Sequence, residues 1–287
     1  MNVKVPVSGK LAARVVFITG AARGQGRSHA IGAAREGADV ILTDVVAPLD
    51  GVDYELPTRD DLDQVVKEVE ALGQRAIAFE ADVRDLDALQ AGLDAAVAEL
   101  GRLDVVVANA GILGAMGKTW EVSKADWDRL IDVNLTGVWH TVKVAVPHMI
   151  SAGNGGSVVL ISSIAGKLGI PNVAAYVSAK HALVGLAGSL ANEGAEFGIR
   201  ANTVHPTNVD TPMINNPEAA RLFRPDLEHP TFDDAAEPLG RINLLPVPWV
   251  QAQDITDAVL WLASDESKYV TGASIPVDAG MLSKYHG

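Results

Sequence analysis

Short apolar runs alternate with amphipathic stretches of helical period along nearly the whole chain. The runs at 14–19, 39–43, 75–81, 103–108, 157–161, 200–205 and 273–276 are rich in valine, isoleucine and alanine and read as strands. Between them, apolar residues recur at helical spacing over 27–36, 60–72, 86–100, 123–150, 174–197 and 252–263. Four of these stretches stop at or beside a glycine (Gly37, Gly73, Gly101, Gly198), the residue that best tolerates the left-handed turn after a helix. Ser123 with Asp126 suits a capping box at the start of the longest one. Strands that alternate with helices predict a parallel sheet covered on both faces, a doubly wound seven-stranded α/β fold. No composition break divides it, so residues 1–287 are read as a single domain.

Two stretches interrupt the pattern. Residues 45–59 carry Pro48, Gly51 and Pro57 and exceed the roughly two to six residues of an ordinary strand-to-helix loop. Residues 206–248 are rich in proline, lose their periodicity and are expected to form a helical lid over a substrate. Its apolar residues (Met213, Ile214, Leu222, Phe223, Ile242, Leu244 and Leu245), with Leu113, Met116, Trp120, Leu168 and Ile170, point to a hydrophobic ligand.

The residues with chemical character fall where predicted strands end. The first strand runs into Thr19-Gly20-Ala21-Ala22-Arg23-Gly24-Gln25-Gly26 and then a helix. Glycines there let backbone amides approach a pyrophosphate at the positive end of the helix. Their spacing is G-x-x-x-G-x-G, not the commoner G-x-G-x-x-G. Asp44 ends the second strand; a carboxylate there accepts both ribose hydroxyls and repels a 2′-phosphate, which predicts NAD over NADP. Val45 follows it in the same contact. Arg23 pulls the other way, unless it pairs with Asp44. Asp82-Val83 follows the third strand, where a carboxylate can bond an adenine amino group. Asn109-Ala110-Gly111 follows the fourth and leaves room for a ligand. Asn134 is a poor helix former inside a long helix, and is expected to open it locally and free a carbonyl. His205 after the sixth strand is read as structural.

The stretch Ile161–Lys180 holds Ser163, then Tyr176 thirteen residues on, then Lys180 four residues later. A four-residue step puts the phenol and the ammonium on one helix face. Alone this is an ordinary helix surface; beside a nicotinamide it is a proton-transfer site. Gly166–Pro171 is expected to form a wall of the substrate pocket.

Composition narrows the classes. A formal net charge of -13 leaves no basic patch for nucleic acid or anionic membrane. The absence of cysteine removes disulfides, thiolate metal sites and cysteine nucleophiles, and no metal site is assigned. There is no signal-peptide pattern and no run of the roughly eighteen apolar residues a membrane span needs, so a soluble cytosolic protein is expected.

Taken together, TGAARGQG, Asp44, Asp82-Val83, Asn109-Ala110-Gly111, Asn134, Ser163 and Tyr176-x-x-x-Lys180 resemble the short-chain dehydrogenase/reductase family, in its order and over about residues 10–282. The resemblance implies a Rossmann fold, with Tyr176 as general acid/base, Lys180 lowering its pKa and holding the nicotinamide ribose, Ser163 binding the substrate oxygen and Asn134 keeping a water-linked relay to Lys180. It implies carboxamide and phosphate contacts at Val209 and Thr211. Most of the family has glycine where Thr207 stands. The insertion at 45–59 and the segment His205–Met213 resemble the mycofactocin-associated, carveol-dehydrogenase-like branch. That branch implies NAD held without free exchange, a separate redox carrier, a cyclic secondary alcohol or ketone as substrate, and a homotetramer. The competing readings are an NADPH-dependent ketone or acyl reductase, disfavoured by Asp44, and a non-catalytic NAD-binding sensor, which would not need the Ser163/Tyr176/Lys180/Asn134 set.

Overall fold

The computed structural model describes residues 9–285 except residue 53. Position 53 of the insertion and the ends of the 1–287 domain span lie outside the described residues. The strands are β1 (Val15–Thr19), β2 (Asp39–Asp44), β3 (Ala76–Glu80), β4 (Val105–Ala108), β5 (Gly156–Ile161), β6 (Ile199–Pro206) and β7 (Ser274–Val277). All pair in parallel, in the order β3-β2-β1-β4-β5-β6-β7, which is the doubly wound, Rossmann-type sheet the sequence predicts. The chain reverses direction across the sheet between β1 and β4. Adjacent loops diverge there and leave a crevice beyond the strands' carboxyl ends.

The central strands are continuous apolar runs because both of their faces are covered. Val16 and Ile18 point into a core shared with α1 (Gly24–Arg35), α2 (Arg59–Ala71) and α9 (Ala252–Ala263). Val15 and Phe17 point into the opposite core, shared with α3 (Leu86–Leu100), α5 (Gly137–Ala152) and α6 (Ala174–Gly194). This alternation is the two-residue period of a strand made visible.

Three departures from the sequence reading bear on function. Helix α1 starts at Gly24, three residues before its apolar period does. Glycine propensity argued for a turn there; tertiary packing overrides it. The long helix expected over 123–150 is two helices, α4 (Lys124–Ile131) and α5, joined by a π-turn at Asp132–Thr136. The 206–248 segment, expected to be a lid, contains α7 (Pro217–Phe223) and α8 (Ala236–Ile242), packed on a small core of its own around Phe232, Ala235 and Leu239, with Phe232 stacked on Trp249. Among the described residues no helix is long and apolar enough to cross a membrane, and no three acidic, histidine or cysteine side chains gather as a metal site would need.

Candidate active site

The crevice at the β1/β4 reversal is a cleft with about 850 Å³ of empty space, its solvent mouth included. Its floor is the glycine turn. Gly20 has a left-handed φ of 66° and sits so close to β4 that a Cβ would come within 2.9 Å of Ala110 Cα. Gly24, at φ 53°, also needs the freedom of glycine. Gly26 lies beneath the turn: a Cβ there would be 2.0 Å from the Gly20 carbonyl oxygen. Asn109 ties the two strand ends together, donating from Nδ2 to the Thr19 and Gly20 carbonyls at 3.0 and 3.1 Å. The result is the N-terminus of α1 opening into the cleft with no side chain over it at Gly20 and Gly24, a seat for a pyrophosphate. Gln25 lines the same turn and has a buried amide oxygen without a partner. An orphaned polar atom in a cleft is the mark of a site built for a polar ligand.

At the β2 end, Asp44 accepts from Ala22 N at 2.9 Å and from Val45 N at 2.8 Å, one bond to each carboxylate oxygen. Burial raises its pKa, while these two bonds and the charge of Arg23 oppose that rise. Each oxygen keeps a free lone pair, as recognition of a ribose diol requires. Among the described residues Arg23 makes no ion pair with Asp44. Its guanidinium lies over the ring of Tyr54, 5.7 Å from the centroid. Asp82 lines the cleft but is gripped by Arg84, which donates from Nε to Oδ2 at 2.9 Å and holds the carboxyl below its usual pKa against the effect of burial.

The insertion folds over this end. Leu49, Tyr54, Leu56 and Pro57 line the cleft, and Leu49 and Val52 pack against Val83, Ile112 and Val133. Leu113 N donates to the Tyr54 hydroxyl at 3.2 Å, joining the insertion to the loop after β4. None of these contacts was read from the sequence; a lone tyrosine in an irregular stretch beside Asp44 was the only signal.

Tyr176 and Lys180 share one face of α6, as their spacing predicts. Lys180 Nζ donates to the Ile161 carbonyl at 2.9 Å and lies 5.6 Å from the Tyr176 ring centroid. The Ser163 hydroxyl accepts from Ala165 N at 3.1 Å, which leaves its proton free for the Tyr176 phenol or a substrate oxygen. Asn134 is fully buried in the π-turn, and its amide exchanges two 2.8 Å bonds with the backbone of Ile112. Those bonds account for the broken helix: the widened turn lets the side chain reach a neighbouring loop instead of its own ladder.

Burial dominates the electrostatics here. It pushes Tyr176 up to about 12, although the Ser163 hydroxyl works to lower it. It pushes Lys180 down to about 8. Loss of water costs the phenolate more than the Ser163 hydroxyl returns.

Gly111 joins the two halves. It lines the cleft, and a Cβ on it would lie 3.4 Å from Asn134 Oδ1 and 3.5 Å from Lys180 Nζ. Gly20, Arg23, Gly24, Gln25, Asp44, Val45, Asp82, Val83, Asn109, Ala110, Gly111 and Thr211 all line the cleft. Asn134, Ser163, Tyr176 and Lys180 do not line it; Asn134 and Lys180 stand beside Gly111, and Tyr176 lies next to Lys180 on α6. Val209 does not line it: its side chain is in the core and its backbone pairs with Val250. Thr207 continues the β6–β7 pairing through a bond from its N–H to the Val277 carbonyl. Of the apolar residues expected to meet substrate, Met213 lines the cleft; Ile214, Phe223 and Ile242 pack inside the 206–248 segment. Met116, Trp120, Leu222, Leu244 and Leu245 are exposed. Gly166 packs tightly under α6, where a Cβ would meet Ser162 Oγ at 2.4 Å.

The family model described as enoyl-(acyl carrier protein) reductase matches residues 20–282. A (-)-trans-carveol dehydrogenase from Rhodococcus erythropolis is 52% identical over 271 residues, 94% of this chain and 98% of that protein. A cyclohexanol dehydrogenase from Acinetobacter is 35% identical over 278 residues, 97% of this chain and 98% of that protein. The crystal structure of a carveol dehydrogenase from Mycobacterium avium in complex with NAD superposes with a TM-score of 0.96 at 50% identity, covering 96% of this chain and 100% of that one. With likeness of this order running nearly end to end, on a chain that sets its glycine turn, Asp44 and the Tyr176/Lys180 pair at one sheet edge, this protein belongs to the short-chain dehydrogenase/reductase family.

Proposed function

We propose that this protein is an NAD-dependent secondary-alcohol dehydrogenase acting on hydrophobic, cyclic alcohols, a terpenoid alcohol among them. The observation that carries the reading is Lys180 Nζ, 3.5 Å from where a Cβ on Gly111 would stand at the edge of a cleft that Asp44 also lines, with Tyr176 beside it on α6. Hydride-transfer chemistry needs a proton acceptor beside the nicotinamide end of a dinucleotide, and this arrangement supports that reading. The relatives support the substrate class: one is a carveol dehydrogenase, another a cyclohexanol dehydrogenase.

The cleft fits the cofactor on its own chemistry. The α1 N-terminus, bare at Gly20 and Gly24, suits the pyrophosphate, the doubly anchored Asp44 suits a 2′-hydroxyl, and Gly111 leaves space beside the proposed catalytic groups. NAD, when bound, supplies the acceptor for hydride from the carbinol carbon. The chain does the rest. Ser163 donates a hydrogen bond to the substrate oxygen. Tyr176 removes its proton. Lys180 supplies positive charge beside the phenol and donates to the nicotinamide ribose. Asn134 fixes the loop at Ile112 and keeps the widened turn through which protons reach Lys180 from water. Thr211, which lines the cleft, suits a phosphate contact, and Val209, whose side chain lies in the core, could offer the carboxamide only its backbone.

The insertion carries the finer part of the reading. It lies over the Asp44 end and is bonded across the cleft mouth by Tyr54, so the cofactor is retained between turnovers and re-oxidised in place by a separate, mycofactocin-type carrier. The working assembly is a homotetramer. An NADPH-dependent reductase is disfavoured by Asp44, which sits where a 2′-phosphate would go. A panel of carveol, cyclohexanol and linear alcohols, assayed with added NAD and with an artificial electron acceptor, tests both parts. Cyclic alcohols should be preferred, stoichiometric NAD should copurify, and the artificial acceptor should sustain turnover. Cofactor-free protein that turns over freely with added NAD would refute retention; no oxidation of any alcohol would refute the activity.

A further inference from the structure

His205 is fully buried, does not line the cleft and is bonded on both ring nitrogens. Nδ1 is 2.7 Å from the carbonyl oxygen of Ser163, and Nε2 is 2.8 Å from Thr203 Oγ1. A carbonyl can only accept, so Nδ1 carries the proton. Nε2 is then bare and accepts from the threonine hydroxyl. The ring is thus held in one tautomer and one orientation. Burial, helped by the charges of Lys167 and Lys180, pushes its pKa down to about 4 against the pull of the Ser163 carbonyl, and keeps it neutral.

The place of this bond in the sheet explains why it is needed. The β5–β6 ladder is closed as far as the bond from Ser162 N to the Val204 carbonyl. The next ladder donor on β6 would come from position 206, which is proline and has no N–H. Ser163 therefore lies just past the end of the regular pairing, with extended backbone (φ -170°, ψ 165°) and a single turn of 3-10 helix after it. Its carbonyl accepts from Gly166 N at 2.8 Å and from His205 Nδ1, so the imidazole ties Ser163 to β6 just beyond the end of the ladder.

We propose that His205 is a positioning residue for the reaction: by holding the Ser163 carbonyl it sets the direction in which the Ser163 hydroxyl presents its proton to the substrate oxygen. This rests on Ser163 being the oxygen-binding group. A peptide plane fixed at the carbonyl fixes the Cα–Cβ vector of the same residue, and a displacement on the order of 1 Å at a reacting contact costs roughly 100-fold in rate. His205 touches neither substrate nor cofactor; it acts only through Ser163.

The test is a double-mutant cycle on the NAD-loaded enzyme, read as the single-turnover rate of bound NAD reduction. The probe is cyclohexanol or (-)-trans-carveol, whichever is oxidised faster. Ser163→Ala and His205→Leu should each slow the step by about 10- to 100-fold with NAD affinity unchanged. In the Ser163→Ala background, His205→Leu should add little, because its only route of action is gone. His205→Asn, whose amide N–H can stand in for Nδ1–H, should recover most of the lost rate; His205→Gln, whose amide lies one carbon further out, should not. If Ser163→Ala leaves the rate unchanged, the role of Ser163 fails and His205 falls with it. If Ser163→Ala is slow but His205→Leu is not, or if the two effects multiply, only the positioning role is overturned. Should the leucine variant not fold, equal rates in the Asn and Gln variants would overturn it as well.

Discussion

At the β2 end of the crevice each charge has close partners, although burial still raises the pKa of Asp44 and lowers that of Arg23. Asp44 has a backbone N–H on each oxygen, Asp82 has Arg84, and Arg23 has the face of Tyr54. At the β5 end partners are fewer. Lys180 is buried with one carbonyl for company and the half-buried Tyr176 has one hydroxyl, and the shifts are large, both toward the neutral forms. The two ends lie on one sheet edge, joined at Gly111. On the proposed reading the difference separates binding from catalysis: the first end is preorganised for a ligand of known shape, while at the second the positive charge of a bound nicotinamide would favour the Tyr176 phenolate. Sites that tune a pKa for proton transfer are built by this kind of burial.

The strongest way to break the comparison is to remove the phenol alone. Tyr176→Phe should lower turnover by on the order of 10²–10⁴-fold while NAD affinity stays within twofold, since the two ends are independently built. Calorimetric titration of NAD beside steady-state rates checks it; a parallel fall in affinity would show that the ends are one unit. The pH dependence follows in sign. On the proposed mechanism the base is the Tyr176 phenolate, and a pKa pushed up to about 12 leaves little of it at neutrality. Alcohol oxidation should therefore rise with pH and ketone reduction fall. Bound NAD should shift the tyrosinate absorbance change toward neutral pH.

The second prediction concerns the cost of the catalytic end. Lys180 has a folded pKa of about 8 against an ordinary 10.5, so below pH 8 the native state holds a charge it would rather lose. Between those values the unfolded chain binds more protons, and stability must rise with pH. Lys180→Met should abolish activity yet stabilise the fold by ~1–3 kcal/mol at pH 7, less than the full linkage value because the Ile161 carbonyl loses its donor. Denaturant melts at pH 7 and above pH 10 should show the gain at the first and its loss at the second. A destabilised variant at pH 7 would mean that Lys180 is solvated.

Cofactor choice sharpens the other end. Asp44→Ala removes the group that meets the 2′-position, and the NADP-to-NAD affinity ratio should rise by roughly 10- to 100-fold, the worth of one or two charge-assisted hydrogen bonds. Arg23 stays close enough to meet an added phosphate once the carboxylate is gone. An unchanged ratio would place the ribose elsewhere.

How much of this could be read from sequence follows from how local each signal is. Strand and helix periods, Gly20, Asp44 and the Tyr176/Lys180 step are set by neighbours in the chain, and they emerge at the sheet edge as expected. The residues that escaped are those whose meaning lies in a distant partner. Tyr54 meets Leu113, fifty-nine positions away, and His205 meets Ser163, forty-two away. Asn134 was legible as a helix breaker but not as the partner of Ile112. By charge Arg23 suits either a 2′-phosphate or Asp44, whereas the aromatic face it meets, Tyr54, lies in a stretch with no period to place it.

That same aromatic supplies the smallest predicted effect and the finest cut through the comparison. The insertion belongs to the β2 end by its contacts, yet its Tyr54 hydroxyl reaches over to the loop that follows β4, toward the catalytic groups. One hydrogen bond to a backbone N–H is worth roughly 0.5–1.5 kcal/mol, about a 2- to 12-fold change in a rate or equilibrium. Tyr54→Phe keeps the ring under Arg23 and removes only that bond. NAD dissociation, followed by displacement with a fluorescent analogue, should quicken by that factor, with the chemical step of a single turnover unchanged. Tyr54→Ala, which also removes the platform for Arg23, should quicken it further. If Tyr54→Phe instead slows hydride transfer and leaves dissociation alone, the insertion belongs to the catalytic end, and the division of the crevice at Gly111 is drawn in the wrong place.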